Sequence, residues 1–383
     1  TDDFIVTENN TVQVNYNLEK RPAILTLEDL QSAFPDLKRM PNSFSKVTSE
    51  EVTFNHNNAI VQYNYINKKV SGEIKYPSEA ENNEYNASAN ATAYTIENNL
   101  YVASENSSKI AVTAIEDKNI VSGQAIARSE MGITKGTFWS PKGNFLAFYQ
   151  KDESNVTDYP LVDVTTTPAT LNNIKYPMNG MGSEIAKAGV FSMKTQSVIY
   201  LDIDTSDEHY LTNLSWSPDE KYIFLAEVNR DQNHMWFTMY DANSGEKIKT
   251  LFEEKNDKWV EPEHTAVFLP NSNSEFLWLS ERDGFMNIYK YDINGSDVNQ
   301  LTHFSWVIKS ILGFDENGKN VIISGTGNDG RETKAYKINV KNGKIGILTS
   351  EPGSHSVQIS SDGKYIIDSY SSMEVPRVVK RKS

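Results

Sequence analysis

There is no cysteine in the 383 residues, which excludes disulfides, thiolate metal sites and a cysteine nucleophile together. Positive charge is also short: 37 Lys and Arg against 51 Asp and Glu leave a net charge of -14. A nucleic-acid surface needs a basic face to displace counterions from phosphates, and here the basic residues are scattered, so no nucleic-acid partner is expected. No apolar run approaches the ~20 residues of a membrane-spanning helix. The six histidines, His56, His209, His234, His264, His303 and His355, show no i, i+2 or i, i+4 pairing for a metal. Neither a metal nor any other cofactor is expected. Gly325-x-Gly327-x-x-Gly330 spells a dinucleotide fingerprint, but 331–339 reads as a strand, so no helix N-terminus is there to meet a pyrophosphate.

What is present is a packed-core composition, 38% hydrophobic with 11% aromatic, spread over short strands and turns. The clearest unit runs from Glu130 to Asp163. Thr137, Phe138 and Trp139 read as a strand, Ser140-Pro-Lys-Gly143 as a turn with Pro at its first corner and Gly at its positive-φ corner, and 145–149 as the returning strand. Trp216-Ser-Pro-Asp repeats the device, and weaker copies begin at Phe268, Phe314 and Ile359. The later copies lie about 45 residues apart. The gap between Trp139 and Trp216 is expected to hold about two units.

Downstream of each turn comes a third strand ending at Tyr240-Asp241, Tyr291-Asp292 or Ile338-Asn339, then a Gly turn at Gly245, Gly295 or Gly343. Leu301-Thr302 and Leu348-Thr349 close two of the units. Four strands per ~45 residues is the pattern of a β-propeller blade, too thin to bury its faces alone. A β-sandwich would not repeat its turn chemistry at a fixed period. The fold expected is all-β, a propeller of roughly eight four-stranded blades. Thr26 to Phe34 is the one short N-terminal helix, with Thr26 as N-cap and Pro35 as stop. Residues 1–45 read as an arm and helix packed on the propeller, with Phe4 to Val6 and the alternation Val12-x-Val14-x-Tyr16 as strands; 46–383 read as the propeller itself. Upstream, 91–96, 100–103 and 111–115 read as a meander with Asn98-Asn99 as its hairpin turn.

Several stretches together resemble the N-terminal propeller of dipeptidyl peptidase IV-like serine peptidases. They are Gly136-Thr-Phe-Trp-Ser-Pro-Lys-Gly-Asn144, Lys151-Asp-Glu-Ser-Asn-Val-Thr-Asp-Tyr-Pro160, Lys175-Tyr-Pro-Met178, Trp216-Ser-Pro-Asp219, Asn229-Arg-Asp-Gln-Asn233 and Asp368-Ser-Tyr-Ser-Ser372. The resemblance covers about Gly123 to Arg377. It implies an eight-bladed propeller that caps a C-terminal α/β-hydrolase domain and screens peptides by size. No Gly-x-Ser-x-Gly elbow occurs in this chain, so no catalytic residue is assigned and the hydrolase domain is expected as a partner beyond it.

The resemblance also assigns a site. Relatives carry acidic residues shortly before the Trp-Ser-Pro strand that bind the free N-terminal ammonium of a peptide, which places Glu130 in that role. A charge-assisted hydrogen bond in a partly desolvated cavity is suited to it. Dipeptidyl peptidases of the family show two adjacent acids; here the neighbour is Ser129, which is more like the prolyl tripeptidyl peptidases. Glu261, Glu263 and His264, in Trp259-Val-Glu-Pro-Glu-His264, align loosely with a loop lining the substrate cavity. The loop Arg that holds a substrate carbonyl in relatives has no counterpart between Arg39 and Arg128.

The leading expectation is therefore the non-catalytic propeller of an exported, proline-specific dipeptidyl or tripeptidyl peptidase, gating access and anchoring the substrate N-terminus. The full-length protein leaves room for a homodimer. The alternative is a free-standing propeller acting as a binding or scaffold module. The start at Thr1, without Met or a leader, reads as processed, and a periplasmic or extracellular location goes with it.

Overall fold

The Trp-Ser-Pro turn shows how each blade is built. In the computed structural model, which describes residues 4–8, 11–15, 23–294 and 299–382, the strand Thr137–Trp139 reverses into Phe145–Asp152. Ser140 closes the reversal twice: its N–H donates to Phe145 O and its Oγ accepts from Phe145 N–H, both at 2.9 Å. Ser217 makes the same pair with Tyr222, and Ser360 with Tyr365. Asp315 does it for Asn320 with a carboxylate. The hydroxyl or carboxylate thus satisfies a strand N–H that the turn leaves without a ladder partner. The left-handed corner is Gly143, Gly318 or Gly363, but Glu220 in one blade.

Among the described residues, and apart from one two-stranded ribbon, eight antiparallel sheets follow in chain order, over 4–26, 46–75, 81–111, 120–200, 209–255, 267–300, 308–347 and 354–382. The first and last have three strands, the sheet over 120–200 has five, and the others have four. Apolar cores lie between neighbours. Leu100 and Val102 pack on Leu146 and Phe148, Ala147 and Val190 on Leu211 and Leu225, Phe224 and Phe237 on Phe276 and Trp278, and Leu277 and Ile288 on Val321 and Ile338. The sheets over 81–111, 120–200, 209–255 and 267–300 each bury one face on the predecessor and the other on the successor, the packing of a β-propeller.

Side chains also tie blade to blade. Trp139 Nε1 donates to Glu84 O at 3.1 Å, and Trp216 Nε1 donates to Phe138 O at 3.0 Å. Gly245 and Gly343 are left-handed, and a Cβ on either would stand 2.3 Å from Tyr200 O or 2.1 Å from Leu301 O of the preceding blade. Where Leu-Thr closes a unit, the threonine hydroxyl takes over the ladder: Thr302 Oγ1 accepts from Ile288 N–H and Thr349 Oγ1 from Ala335 N–H, both at 2.9 Å.

Three expectations shift. The interval from Trp139 to Trp216 is one repeat, not two, and carries the last three strands of the five-stranded blade over 120–200. Its extra length is a two-stranded ribbon, Asp158–Asp163 with Thr170–Lys175, inserted between the strands ending at Asp152 and beginning at Ile185; Leu161, Val162 and Leu171 on it are exposed. The hairpin turn is Glu97-Asn98, one residue early, because the Asn99 carboxamide is used inside, accepting from Thr113 Oγ1 and Ile115 N–H. With Thr113 and Ile115 so engaged, the edge strand is Ser107–Ala111 and not 111–115. The single α-helix among the described residues is Leu27–Gln31, closed by a reciprocal capping box between Thr26 and Asp29 at 3.1 Å each way. Tyr16 and the turn at Gly295 lie outside the described residues.

Candidate functional site

The segment leading into Thr137 is conformationally unusual. Ala127, Arg128 and Ser129 are all left-handed, with φ of 49, 51 and 67°; Glu130 is extended, and Met131 and Gly132 return to φ of 53 and 71°. Four non-glycine residues in that region cost together about 4 to 8 kcal/mol. Burial and hydrogen bonds offset the cost. Ile126, Ala127, Met131 and Ile133 are buried. Ser129 N–H donates to Ile126 O, Glu130 N–H to Ala127 O and Ile133 N–H to Glu130 O, each at 3.0 Å. Ala127 N–H donates to the buried Glu184 Oε1 at 2.5 Å. With the apolar residues anchored inward, Arg128, Ser129 and Glu130 are left exposed.

A second segment meets it. Val260 and Pro262 point inward and Glu261 and Glu263 outward, the alternation of an extended chain. A Cβ on Gly132 would lie 2.2 Å from Glu263 O, so the two backbones touch where only glycine fits. The Glu261 carboxyl is pushed above the usual range by burial, then by the charges of Glu263, Glu130 and Glu281. His264 is pushed down by burial, against the opposing pull of Glu263. The nearby guanidiniums are engaged elsewhere: Arg282 pairs with Glu254 at 2.5 Å, and Arg128 donates to Lys175 O and lies 5.0 Å from the Tyr176 ring. The result is a group of carboxylates whose mutual repulsion favours the approach of a cation. A cleft lined by Trp259, Glu261, Trp278, Glu281 and Arg282 opens beside it.

The blade between the two segments yokes them. On its first strand, His209–Trp216, the register breaks between Thr212 and Ser215, and Asn213 is left-handed at φ 54°. This bulge aims neighbouring side chains at different segments. Thr212 Oγ1 donates to Met131 O at 2.8 Å, and Asn213 Nδ2 donates to Pro262 O at 2.9 Å.

The chain matches the sequence profile described as the dipeptidyl peptidase IV (DPP IV) N-terminal region over residues 43–377. It belongs to the DPP IV N-terminal family. Dipeptidyl aminopeptidase B of Saccharomyces cerevisiae is 25% identical over 92% of this chain and 45% of its own length. A probable dipeptidyl-aminopeptidase B of Aspergillus oryzae is 22% identical over 76% of this chain and 36% of its own. Among solved structures, a putative dipeptidyl aminopeptidase IV from Bacteroides ovatus superposes with a TM-score of 0.90 at 36% identity, covering 99% of this chain and 57% of that one. Porphyromonas gingivalis dipeptidyl peptidase 4, at 18% identity and a TM-score of 0.79, shares the fold. The chain spans about half the length of these relatives or less.

Within this DPP IV N-terminal region the structure brings Glu130, Glu261 and Glu263 into one electrostatic group, with His264 half-buried behind Glu263. Sequence reasoning missed Glu281, which follows the strand Glu275–Ser280 in a charged hairpin. It also missed Thr212 and Asn213. Their signal was faint: an asparagine in the middle of an apolar strand, where its short polar side chain suits a left-handed bulge.

Proposed function

We propose that this chain is the substrate-anchoring, non-catalytic propeller of an exported peptidase that removes dipeptides from a free N-terminus after proline. The observation that carries the reading is the convergence of Glu130 with Glu261 and Glu263, tied at Gly132 and Glu263. A peptide's α-ammonium is the cation such a group suits, and a charge-assisted bond to it contributes about 1.5 to 3 kcal/mol. Glu130 has no acidic neighbour in sequence but gains acidic partners in space. That argues for the two-carboxylate anchor of dipeptide release over the single acid of tripeptide release. Gating follows from the same architecture, since a blade wall with a rigid acid cluster admits only chains whose amine reaches it. The names of the relatives agree with a dipeptidyl activity.

The test uses the full-length protein. Glu130→Gln and Glu261→Gln are each expected to lower kcat/KM for a free-amine Gly-Pro amide by about 10 to 100-fold. The N-acetylated amide, poor from the start, should change little. Because the Glu261 carboxyl titrates above its ordinary range, acidification neutralises it early, and KM for the free amine should rise as pH falls. Equal kcat/KM for wild type and both variants removes the anchor.

A further inference from the structure

Beneath the left-handed turn lies a charge cluster that substrate anchoring does not use. Lys151, Glu153 and Glu184 have side-chain exposures of 11%, 12% and 6%. Lys151 lies on the strand Phe145–Asp152, and Glu184 immediately precedes the neighbouring strand Ile185–Ser192. Lys151 Nζ is 2.8 Å from Glu153 and 3.5 Å from Glu184 Oε2. The closer carboxylate already neutralises the ammonium. A second buried carboxylate is costly unless something else satisfies it. That something is the main chain of the turn: Glu184 Oε1 takes the Ala127 N–H at 2.5 Å.

We propose that Glu184 is a positioning residue for the ammonium anchor, holding the Ala127–Ser129 turn in its left-handed conformation and thereby fixing Glu130. The inference rests on the anchoring role proposed for Glu130. If Ala127 left the left-handed region, its N–H would swing away from Oε1 and a buried, charged oxygen would lose its donor. The turn is therefore locked from below. The link to the anchor is one hydrogen bond long, because Glu130 N–H donates to Ala127 O at 3.0 Å. The order of transmission is Lys151 to Glu184, Glu184 to Ala127, and Ala127 to Glu130. Strain spread over consecutive residues persists only where the surroundings over-determine it, and Glu184 supplies the polar part of that constraint while Ile126, Ala127 and Met131 supply the apolar part.

Two measurements separate this role from a general structural one. In the 383-residue chain, Glu184→Ala should raise amide hydrogen exchange across 125–134 by about 10-fold or more, with Thr137–Trp139 and Tyr222–Asn229 unchanged. Glu184→Gln, whose amide oxygen can still accept from Ala127 N–H, should raise it less and serves as the folded, near-isosteric control. In the full-length protein, Glu184→Ala should lower kcat/KM for the free-amine Gly-Pro amide by about 10-fold, Glu184→Gln should recover most of the loss, and the N-acetylated amide should be little affected. The double variant Glu130→Gln/Glu184→Ala should be no worse than about threefold below Glu130→Gln, as residues acting in series are not additive. Unaltered exchange in Glu184→Ala, or losses that multiply in the double variant, overturns the positioning role while leaving the anchor standing. An unaffected Glu130→Gln enzyme overturns the anchor, and with it the role given to Glu184.

Discussion

Glu220 offers a test of what joins the blades. It occupies the left-handed corner, φ 66°, that glycine occupies at 143, 318 and 363, and a non-glycine residue there costs about 1 kcal/mol. The return on that strain is a crossing to the preceding blade, where the carboxylate accepts from Lys142 N–H at 2.6 Å and Asn144 Nδ2 at 2.7 Å. Hydrogen bonds to charged groups contribute about 1.5 to 3 kcal/mol each, but these donors sit on an exposed turn that water can resatisfy, so about 2 to 3 kcal/mol for the pair is the reasonable net. Glu220→Ala keeps the strain and loses both bonds, for a loss of about 2 to 3 kcal/mol. Glu220→Gly loses the bonds but relieves the strain, for about 1 to 2 kcal/mol. Unfolding entropy near 2.1 cal/mol/K per residue gives about 0.8 kcal/mol/K for a chain this long, so calorimetry should show Tm falling by about 2.5 to 4 °C for Ala and about half that for Gly. The pH sign is also set. Burial alone would raise the Glu220 carboxyl, but bonds from Ser140, Asn144 and the Lys142 N–H outweigh it and hold it below its ordinary 4.5. A lowered folded value means stability that is present above pH ~4.5 and lost as pH falls through the folded value, so the gap between wild type and Glu220→Ala should close in acid. An alanine variant as stable as wild type at pH 7, or a glycine variant less stable than alanine, refutes the reasoning.

Further outcomes follow from particular contacts. Gly132→Ala places a Cβ 2.2 Å from Glu263 O at a left-handed φ; the two acidic segments should part, and the raised Glu261 carboxyl should fall back toward its ordinary value in an NMR titration. His355→Ala removes the partner held at 2.7 Å by the fully buried Asp368, leaving that carboxylate with Lys382 at 3.3 Å; a loss of about 3 kcal/mol in urea is expected, with faster exchange in the strand Ile366–Ser371. The 383-residue chain should hydrolyse neither Gly-Pro nor Ala-Ala-Pro chromogenic amides, since no motif supplies an activated serine; turnover that survives repurification and scales with protein overturns this.

The blade repeat was legible because its turn chemistry is local. A Ser or Asp that bonds the backbone five residues on, a left-handed corner, and a threonine that completes a ladder are all written within one hairpin, so Trp216-Ser-Pro and Asp362-Gly363 announce themselves. The inserted ribbon hid for the opposite reason. Its alternation at 158–175 has the length of another blade's strands, and only pairing shows that it stands apart. Glu130, Glu261 and Glu263 were visible through resemblance, but their convergence was not, because the distance from 130 to 261 is closed by tertiary contacts at Gly132, Thr212 and Asn213. The left-handed run at 127–129 was equally silent. Ala-Arg-Ser carries no glycine to signal positive φ, and the conformation is imposed from outside by Glu184 and by burial.

The acids stand where the chain leaves sheet geometry. The Ser-Pro end of each first strand is occupied by the turn and its ties, such as Trp216 Nε1 to Phe138 O and Glu220 to the 142–144 turn. A segment can leave sheet geometry where the edge strand is interrupted or where the chain arrives from the previous blade. Both acidic segments are departures of this kind: one interrupts the edge of its blade between Ile120–Ser122 and Thr137–Trp139, which both pair with Phe145–Asp152, and the other leads into Val267–Phe268. They belong to blades with a third between them, so their separation is set by a strand that carries none of the acids. Its bulge at Thr212 and Asn213 bonds one segment with each side chain, which converts a fixed blade spacing into a fixed spacing of carboxylates. A packed strand is stiffer than either loop, so the anchor inherits the rigidity of the propeller wall even though every acid in it stands on a connecting segment.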